Sequence, residues 1–471
     1  MDATNFSRRQ MLHRCGAGFG ALGWLGAIAN CGTAGDGTSK GLATGVLHHP
    51  ARAKRVVFLF MNGAPSHVDT FDPKPLLATH QGEQPSGKLY KESKGSGYMP
   101  SPFRFDQYGE SGMVISELLP NMTRLADDLC VIRSMHTDVP NHEPGLLMMN
   151  CGHLQPVRPS LGSWMSYGLG SLNENLPSFV VLSPGRPVVG PQLWSNSFLP
   201  GQFQGTSVDT NDLNVDRMVA NIQHPTLGRS EQRQQSDLLQ ALNRKHMQAR
   251  ENDAIFDEQI RAMELAYQMQ SEVREAFDVA RETKETREMY GDTPFSNSCL
   301  IARRLLESGV RMVQVYYVTN NNKQPWDTHT DNDNQHRKLC ADSDRASAAL
   351  LTDLKQRGML DDTLVIWGGE FGRTPYSEIN QKNQQSKPGR DHHHTGFSMA
   401  LAGGGIRGGL TYGATDEFGM HAIENRVHVH DLHATILNLL GIDHERLTYR
   451  YSGRDFRLTD VHGRVVTDII A

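Results

Sequence analysis

Short apolar runs alternate with helical patterns along most of this chain. Runs of this length, bounded by polar residues, are typical of buried strands in a mostly parallel sheet. The pattern predicts such strands at Val56–Met61, Leu129–Arg133, Phe179–Leu182, Val310–Val318, Thr363–Trp367 and Phe397–Ala402.

Helical patterns stand before two of these strands. Leu118–Asp127 precedes the strand at Leu129, and Arg345–Arg357, followed by Gly358, precedes the strand at Thr363. Near the end of the chain, Asp431 is placed to cap a helix that Gly441 ends. The order of helix, glycine stop and strand predicts an α/β sandwich, with a mostly parallel central sheet flanked by helices.

The middle of the chain differs in composition from the rest. Gly190–Asn214 is rich in Gly, Pro, Ser and Asn, and Thr226–Glu288 is a long polar stretch with helical character. We interpret residues 190–290, approximately, as an insertion of a loop and two or three helices beside the sheet.

The overall composition limits the class of partner. The chain has 471 residues, of which 38% are hydrophobic, enough for one large α/β domain. A formal net charge of -5 provides no broad basic surface, so neither nucleic acid nor anionic lipid is expected as a general partner.

The N-terminus contains a targeting pattern. Ser7-Arg8-Arg9-Gln10-Met11-Leu12 precedes a glycine-rich apolar run of fifteen residues, Cys15–Ala29. The segment resembles a twin-arginine export signal, and the run is shorter than the roughly 20 residues of a membrane span. A surface helix with two arginines is the alternative. The resemblance implies a periplasmic or otherwise extracytoplasmic protein whose partners include the twin-arginine export machinery.

We therefore divide the chain into an export signal at residues 1–31, a linker at 32–50 and one domain at 51–471. The protein is expected to associate with a membrane only through the signal or through a lipid anchor at Cys31. Asn30 disfavours the lipid anchor, because a small residue is expected before such a cysteine. A Cys130–Cys151 disulfide and simple burial of both thiols remain open.

Polar residues cluster where the predicted strands end. Open α/β sheets bind ligands outside the carboxyl ends of their strands, which makes these residues candidates for a functional site. They are Asn62, His67 and Asp69 after the first strand, Asp327, His329 and His336 after the strand at Val310, Glu370 and Arg373 after Trp367, and His392, His393 and His394 before the strand at Phe397.

Several of these residues stand two positions apart. In extended backbone such residues share a side, so Asp327 with His329, and His392 with His394, are each able to offer two ligands to one point. Imidazole and carboxylate ligands suit a divalent metal such as Zn²⁺ or Mn²⁺. We predict a metal site at these four residues.

A possible additional site consists of the remaining candidates, and for each a structural role is the alternative, because loop histidines often bond to backbone. These residues are Asn62, His336, His393 and the pair His67 and Asp69, which stand two positions apart and would share a side in extended backbone. For His428 and His430, which precede the predicted helix, we favour the structural role. Ser66 lacks the G-x-S-x-G context of a hydrolase nucleophile, and no helix follows the glycines at 403, 405 and 408, so a tight turn is expected there.

Five longer motifs carry a resemblance to a known family. They are FMNGAPSHVDTFDPKP at 60–75, WDTH at 326–329, DDTLVIWGGEFGRTP at 361–375, GRDHHHTGFSMALAGGGIRGG at 389–409 and DLHATILNLLGID at 431–443. In these motifs the chain resembles the alkaline phosphatase and sulfatase superfamily, and within it an exported bacterial sulfatase-like family of unknown function. The resemblance implies an alkaline-phosphatase-like sandwich and metal-dependent hydrolysis of sulfate or phosphate esters, of small molecules or polysaccharides.

The chain departs from the superfamily at three functional positions. Asn62 stands where a metal-binding Asp is expected, Glu370-Phe371 replaces Asp-His, and His142 occupies the place of the nucleophile, about ten residues before Gly152. The resemblance then implies one cation rather than two, with His142, Glu370 and Arg373 as catalytic residues. His142 is a candidate nucleophile or general base, and Glu370 a candidate base or metal ligand. The alternative is a non-catalytic ligand-binding protein that retains the sulfatase-like fold.

Overall fold

The computed structural model describes residues 47–85, 95–173, 175–218, 228–248, 274–378 and 387–471. The predicted export signal and most of the predicted linker lie outside these residues. Within them, no helix is both long and apolar enough to cross a membrane.

The described residues contain eighteen strands. In chain order they are β1 Arg55–Phe60, β2 Gly95–Tyr98, β3 Phe105–Tyr108, β4 Met113–Ser116, β5 Leu129–His136, β6 Phe179–Ser183, β7 Thr206–Asp209, β8 Met312–Tyr316, β9 Thr363–Gly368, β10 Gly372–Glu378, β11 Arg390–His393, β12 Phe397–Ala402, β13 Leu410–Tyr412, β14 Ala414–Thr415, β15 Ala422–Glu424, β16 Val427–His428, β17 Tyr449–Tyr451 and β18 Arg454–Phe456.

Helices connect and cover these strands. They are α1 His67–Thr70, α2 Leu76–Thr79, α3 His142–Cys151, α4 Leu161–Leu169, α5 Val215–Met218, α6 Arg229–Gln248, α7 Lys284–Tyr290, α8 Pro294–Glu307, α9 Asn332–Gln356 and α10 Val429–Leu439. Short 3₁₀ helices lie at Met122–Asp128, Gly190–Trp194, Gly201–Phe203, Val279–Arg281, Leu360–Asp362 and Thr467–Ile469.

A nine-stranded sheet forms the centre of the molecule. Its order is β13-β5-β12-β9-β1-β8-β6-β7, with β16 also paired to β5. Strand β12 is antiparallel to β5 and β9, and the other pairings of this sheet are parallel. The predicted α/β class with a mostly parallel sheet is therefore confirmed. A second sheet, β11-β10-β2, is antiparallel.

Alternate side chains of β1 enter two different cores. Val57 and Leu59 pack with residues of α8 and α9 on one face of the sheet. Phe58 and Phe60 pack on the other face with residues of α3, α4 and α10. Because both faces are covered, the central strands read as continuous apolar runs, which is why the sequence pattern locates them.

The structure corrects several predicted elements. The helix predicted at Leu118–Asp127 is only the 3₁₀ helix at Met122–Asp128. The helix predicted at Arg345–Arg357 begins much earlier, at Asn332. The predicted insertion contains β7, which pairs with β6 as an edge strand of the central sheet, so this part does not lie beside the sheet. Parts of the predicted insertion, residues 219–227 and 249–273, fall outside the described residues.

Two further expectations are settled by the described side chains. His428, not Asp431, is the N-cap of α10; its ring accepts the amide of His430, while Asp431 accepts the amide of His428 in a capping box. The structural role favoured for His428 is therefore that of a helix cap.

The thiols of Cys130 and Cys151 are buried and are not bonded to each other.

Helix α10 fixes the end of α3. His430 Nε2 donates to the carbonyl of Gly152 at 3.0 Å, and His433 Nε2 donates to that of Met149 at 2.8 Å. The last carbonyls of a helix lack partners within it, so these bonds satisfy groups that would otherwise be buried unpaired. They also fix the position of α3, whose first residue, His142, lies at the carboxyl edge of the sheet.

Protonation of His433 is expected to destabilise the fold. Burial, with the nearby His430 ring as a lesser cause, lowers the pKa of His433 from 6.5 to about 3. The unfolded chain therefore binds this proton more readily, so the stabilisation is complete above pH 6.5 and is lost as the pH falls toward 3. The loss is about 1.4 kcal/mol per pH unit for one group.

The variant His433→Gln tests this, because glutamine keeps an N–H donor toward Met149 and does not titrate. Urea unfolding at about pH 7 and about pH 5 should show a decrease in unfolding free energy that is about 2 kcal/mol smaller in the variant than in the wild type. Equal decreases in both proteins would contradict the assignment of this pH dependence to His433.

Candidate metal centre

Three imidazole rings converge on one carboxylate at the carboxyl edge of the sheet. The Nε2 atoms of His142, His329 and His392 lie 3.2, 2.8 and 3.1 Å from Asp327 Oδ1. His142 begins α3, Asp327 and His329 lie in the loop after β8, and His392 lies in β11. Residues from three separate parts of the chain therefore form one cluster, which we call the histidine–Asp327 cluster.

Carboxylates hold the other nitrogen of two of these rings. His142 Nδ1 lies 2.5 Å from Glu370 Oε1, and His329 Nδ1 is hydrogen-bonded to Glu378 Oε2. Asp391 Oδ1 is farther from His329 Nδ1, at 4.0 Å. With its Nδ1 directed to a carboxylate, each ring presents Nε2 to the centre of the cluster.

The loop after β1 bonds to Glu370 and Arg373, two residues that contact the cluster. The amide of Gly63 donates to Glu370 Oε1 at 3.1 Å, and the guanidinium of Arg373 donates to the carbonyls of Gly63 and Ala64. Gly63 has φ +104°, and a Cβ there would lie 2.4 Å from the amide nitrogen of Asp327. Only glycine permits the two loops to approach this closely.

Arg373 neutralises Asp327 from within the protein. Its side chain is fully buried, and it contacts Asp327 Oδ1 at 2.5 Å. Burial opposes ionisation of Asp327, but the contacts with the three imidazoles and the charge of Arg373 outweigh it and hold the pKa of that carboxyl far below its usual range. Asp327 is therefore an anion at neutral pH, as a metal ligand must be.

The same contacts shift the pKa values of two of the imidazoles. Burial alone would lower the pKa of His329, but the neighbouring Asp327 and Glu378 raise it to about 9. The pKa of His142 is also raised: burial opposes this, and the contacts with Asp327 and Glu370 outweigh it. Without a cation, the carboxylates of the cluster therefore favour protonation of His329 and His142.

The side chains of the cluster fit a divalent cation. His142 Nε2 is buried and, although it lies 3.2 Å from Asp327 Oδ1, it makes no hydrogen bond. His142, Asp327 and His392 form one group of converging ligand atoms, and His329, Asp391 and His392 form an overlapping group. Three imidazole nitrogens and one carboxylate oxygen are a donor set that suits Zn²⁺.

Asp69 and His336 belong to a separate, fully buried network. Arg390 Nε lies 2.7 Å from Asp69 Oδ2, which also accepts bonds from Ser66 Oγ and Asn332 Nδ2. His336 Nε2 accepts the amide of Ser66, and burial lowers the pKa of His336 to about 4. This network joins the loop after β1 to α9 and β11.

The other members of the possible additional site are also held apart from the cluster. His67 Nε2 and His393 Nε2 bond to the carbonyls of Gly419 and Met420, and the two rings stack with centroids 5.8 Å apart. Asn62 is buried and donates to the carbonyl of Lys323 at 3.4 Å. His67 and Asp69 do not share a side, because they lie in the short helix α1 and not in a strand.

The structure thus assembles a ligand set that differs from the predicted one. Asp327, His329 and His392 come together as predicted, joined by His142, which was predicted as a catalytic residue. His394 is absent from both groups of converging ligands among the described residues, because β11 ends at His393 and the alternation of sides ends with it. Glu378 was not foreseen, because it lies 49 positions from His329 and no motif in the sequence includes it.

Comparisons with solved structures give distant matches. The PsFucS1 sulfatase from Pseudoalteromonas sp. is 12% identical with a TM-score of 0.35, over 93% of this chain and 73% of that one. Ps i-CgsB in complex with k-i-k-neocarrahexaose is 11% identical with a TM-score of 0.37, over 83% and 72%. The alkaline phosphatase from the Antarctic bacterium TAB5 is 10% identical with a TM-score of 0.30, over 82% and 98%.

Identities of 10–12% and TM-scores of 0.30–0.37 are too low to assign a function to the cluster from these matches. The fold class is established by the strand order of the central sheet. No curated protein matches the sequence. A model of the family described as "Protein of unknown function (DUF1501)" matches residues 53–470, and this chain therefore belongs to that family.

Proposed function

We propose that this protein is a metal-dependent hydrolase of sulfate or phosphate esters, acting outside the cytoplasm on small-molecule or polysaccharide substrates. The observation that carries the proposal is the convergence of three imidazole Nε2 atoms on Asp327 Oδ1 at the carboxyl edge of the sheet. The ester substrates follow from the five motifs that resemble the sulfatase superfamily. The location follows from the resemblance of residues 1–31 to a twin-arginine signal.

His142, Asp327, His329 and His392 would hold one divalent cation, Zn²⁺ or Mn²⁺. A cation held there supplies Lewis acidity, which polarises an ester oxygen or lowers the pKa of water to about 7. The protein orients the rings of the ligands. Phe371 packs against the rings of His142 and His392, with centroids 4.9 and 5.2 Å apart.

The three residues predicted as catalytic have different positions in this arrangement. His142 is a ligand in the proposed centre. Glu370 is fully buried, and it accepts from Gly63 and contacts His142, so solvent does not reach it. Arg373 is also fully buried and contacts Asp327. Glu370 and Arg373 therefore act on substrate only through the cluster.

We expect the protein to bind about one zinc ion per chain, because both groups of converging ligand atoms include His392 and so describe one site. Asp327→Asn removes the charge while keeping the shape, and His392→Asn removes one imidazole. Both variants should lose the bound zinc in equilibrium dialysis followed by elemental analysis. Thermal unfolding of the metal-free proteins checks that each variant folds.

His394→Asn is the matched control, since His394 is two positions from His392 and outside the cluster. It should retain the zinc of the wild type. Loss of zinc in His394→Asn, with retention in His392→Asn, would show that the cation sits at a different place.

Cation-dependent ester hydrolysis is the second expected result. A panel of aryl sulfates, phosphate monoesters and diesters, and sulfated oligosaccharides should contain a substrate that the zinc-loaded protein turns over. Asp327→Ala should lower kcat/KM at least about 100-fold, because the contribution of a catalytic cation is several kcal/mol. Zinc binding without turnover across the panel would favour a ligand-binding protein with this fold.

A further inference from the structure

Glu378 and Glu370 lie behind the proposed ligands and not among them. Glu378 ends β10 and bonds to His329 Nδ1. Glu370 lies between β9 and β10 and contacts His142 Nδ1 at 2.5 Å. Neither belongs to a group of converging ligand atoms. Two of the three rings thus have a carboxylate on the nitrogen that points away from the centre.

This arrangement determines which ring nitrogen carries the proton. A carboxylate next to Nδ1 accepts a hydrogen bond from it, so the proton stays on Nδ1 and the lone pair is on Nε2. The same bond fixes the rotation of the ring about its side chain. Both effects direct Nε2 toward Asp327 and make the imidazole a better donor to a cation.

We propose that Glu378 and Glu370 are positioning residues that raise the affinity of the histidine–Asp327 cluster for its cation. This inference rests on the proposed metal centre. Glu370 is itself fixed by the amide of Gly63, which gives the loop after β1 a role in orienting His142. Glu378 has no sequence motif of its own, and only the fold brings it to His329.

Asp391 is the competing partner for His329. Its Oδ1 atom is 4.0 Å from His329 Nδ1, beyond hydrogen-bonding distance, and that same oxygen accepts the amide of His392 at 2.7 Å. Glu378 is within hydrogen-bonding distance of the same ring atom. The contacts therefore assign the positioning of His329 to Glu378.

The test measures zinc affinity by competition with a chromophoric chelator, using the full-length protein. Glu378→Gln keeps the size of the side chain and removes its charge, and Glu370→Gln does the same behind His142. Each variant should bind zinc about 10- to 100-fold more weakly, with the stoichiometry of the wild type. Glu424→Gln, on the exposed end of β15, is the control for loss of one negative charge and should bind as the wild type does.

A second measurement separates positioning from a general effect on folding. The visible absorption of the cobalt-substituted protein reports the geometry of its ligands, so it should change in Glu378→Gln and not in Glu424→Gln. Without metal, Glu378→Gln should still unfold in one cooperative transition, at a somewhat lower temperature than the wild type because the contact with protonated His329 is lost. The inference therefore stays testable if the fully buried Glu370 proves necessary for folding.

The outcomes distinguish this inference from the proposed function. Stoichiometric zinc binding by the wild type, with affinities within about twofold in both glutamine variants, would overturn the positioning role and leave the metal centre in place. Weaker binding in an Asp391→Asn variant, with no change in Glu378→Gln, would assign the role to Asp391. A wild type that binds no zinc would overturn both proposals.

Discussion

The approach of three imidazole rings to one oxygen of Asp327 is the interaction on which the rest of this structure depends. Partial burial of the Asp327 carboxylate costs hydration, and the protein places the fully buried Arg373 against it as a counter-charge. Arg373 in turn binds the carbonyls of Gly63 and Ala64. The cluster, its counter-charge and the loop after β1 therefore form one connected unit, in which a change at one member disturbs the others.

The fold delivers the members of this unit from distant parts of the sequence. Strand β1 pairs with β8 and β9 in parallel, which brings the loops that carry Gly63, Asp327 and Glu370 to the same edge of the sheet. Helix α3 presents His142 from its first turn and is held at its other end by the two histidines of α10. The antiparallel sheet supplies His392 and Glu378 from adjacent strands. Two cores on opposite faces of the central sheet keep these elements rigid.

The central strands could be predicted because burial on both faces of the sheet makes each of them a continuous apolar run in the sequence. The apolar runs located the central strands, and their carboxyl ends located Asp327, His329 and His392. Local spacing was a poorer guide where the backbone was not extended: it grouped His394 with His392 beyond the end of β11, and His67 with Asp69 inside a short helix. His142 was found through a resemblance of motifs. Glu378 could not be found, since its partner His329 is 49 positions away in the loop after β8, and only the fold brings that loop to the end of β10.

X-ray absorption spectroscopy of the zinc-loaded protein tests the central claim most directly, because it reports the atoms bound to the cation. The account predicts a first shell of only nitrogen and oxygen at about 2.0–2.1 Å, with the outer-shell scattering of three imidazole rings. A spectrum with sulfur in the first shell, or with fewer than two imidazole rings, would contradict a cation held by His142, Asp327, His329 and His392.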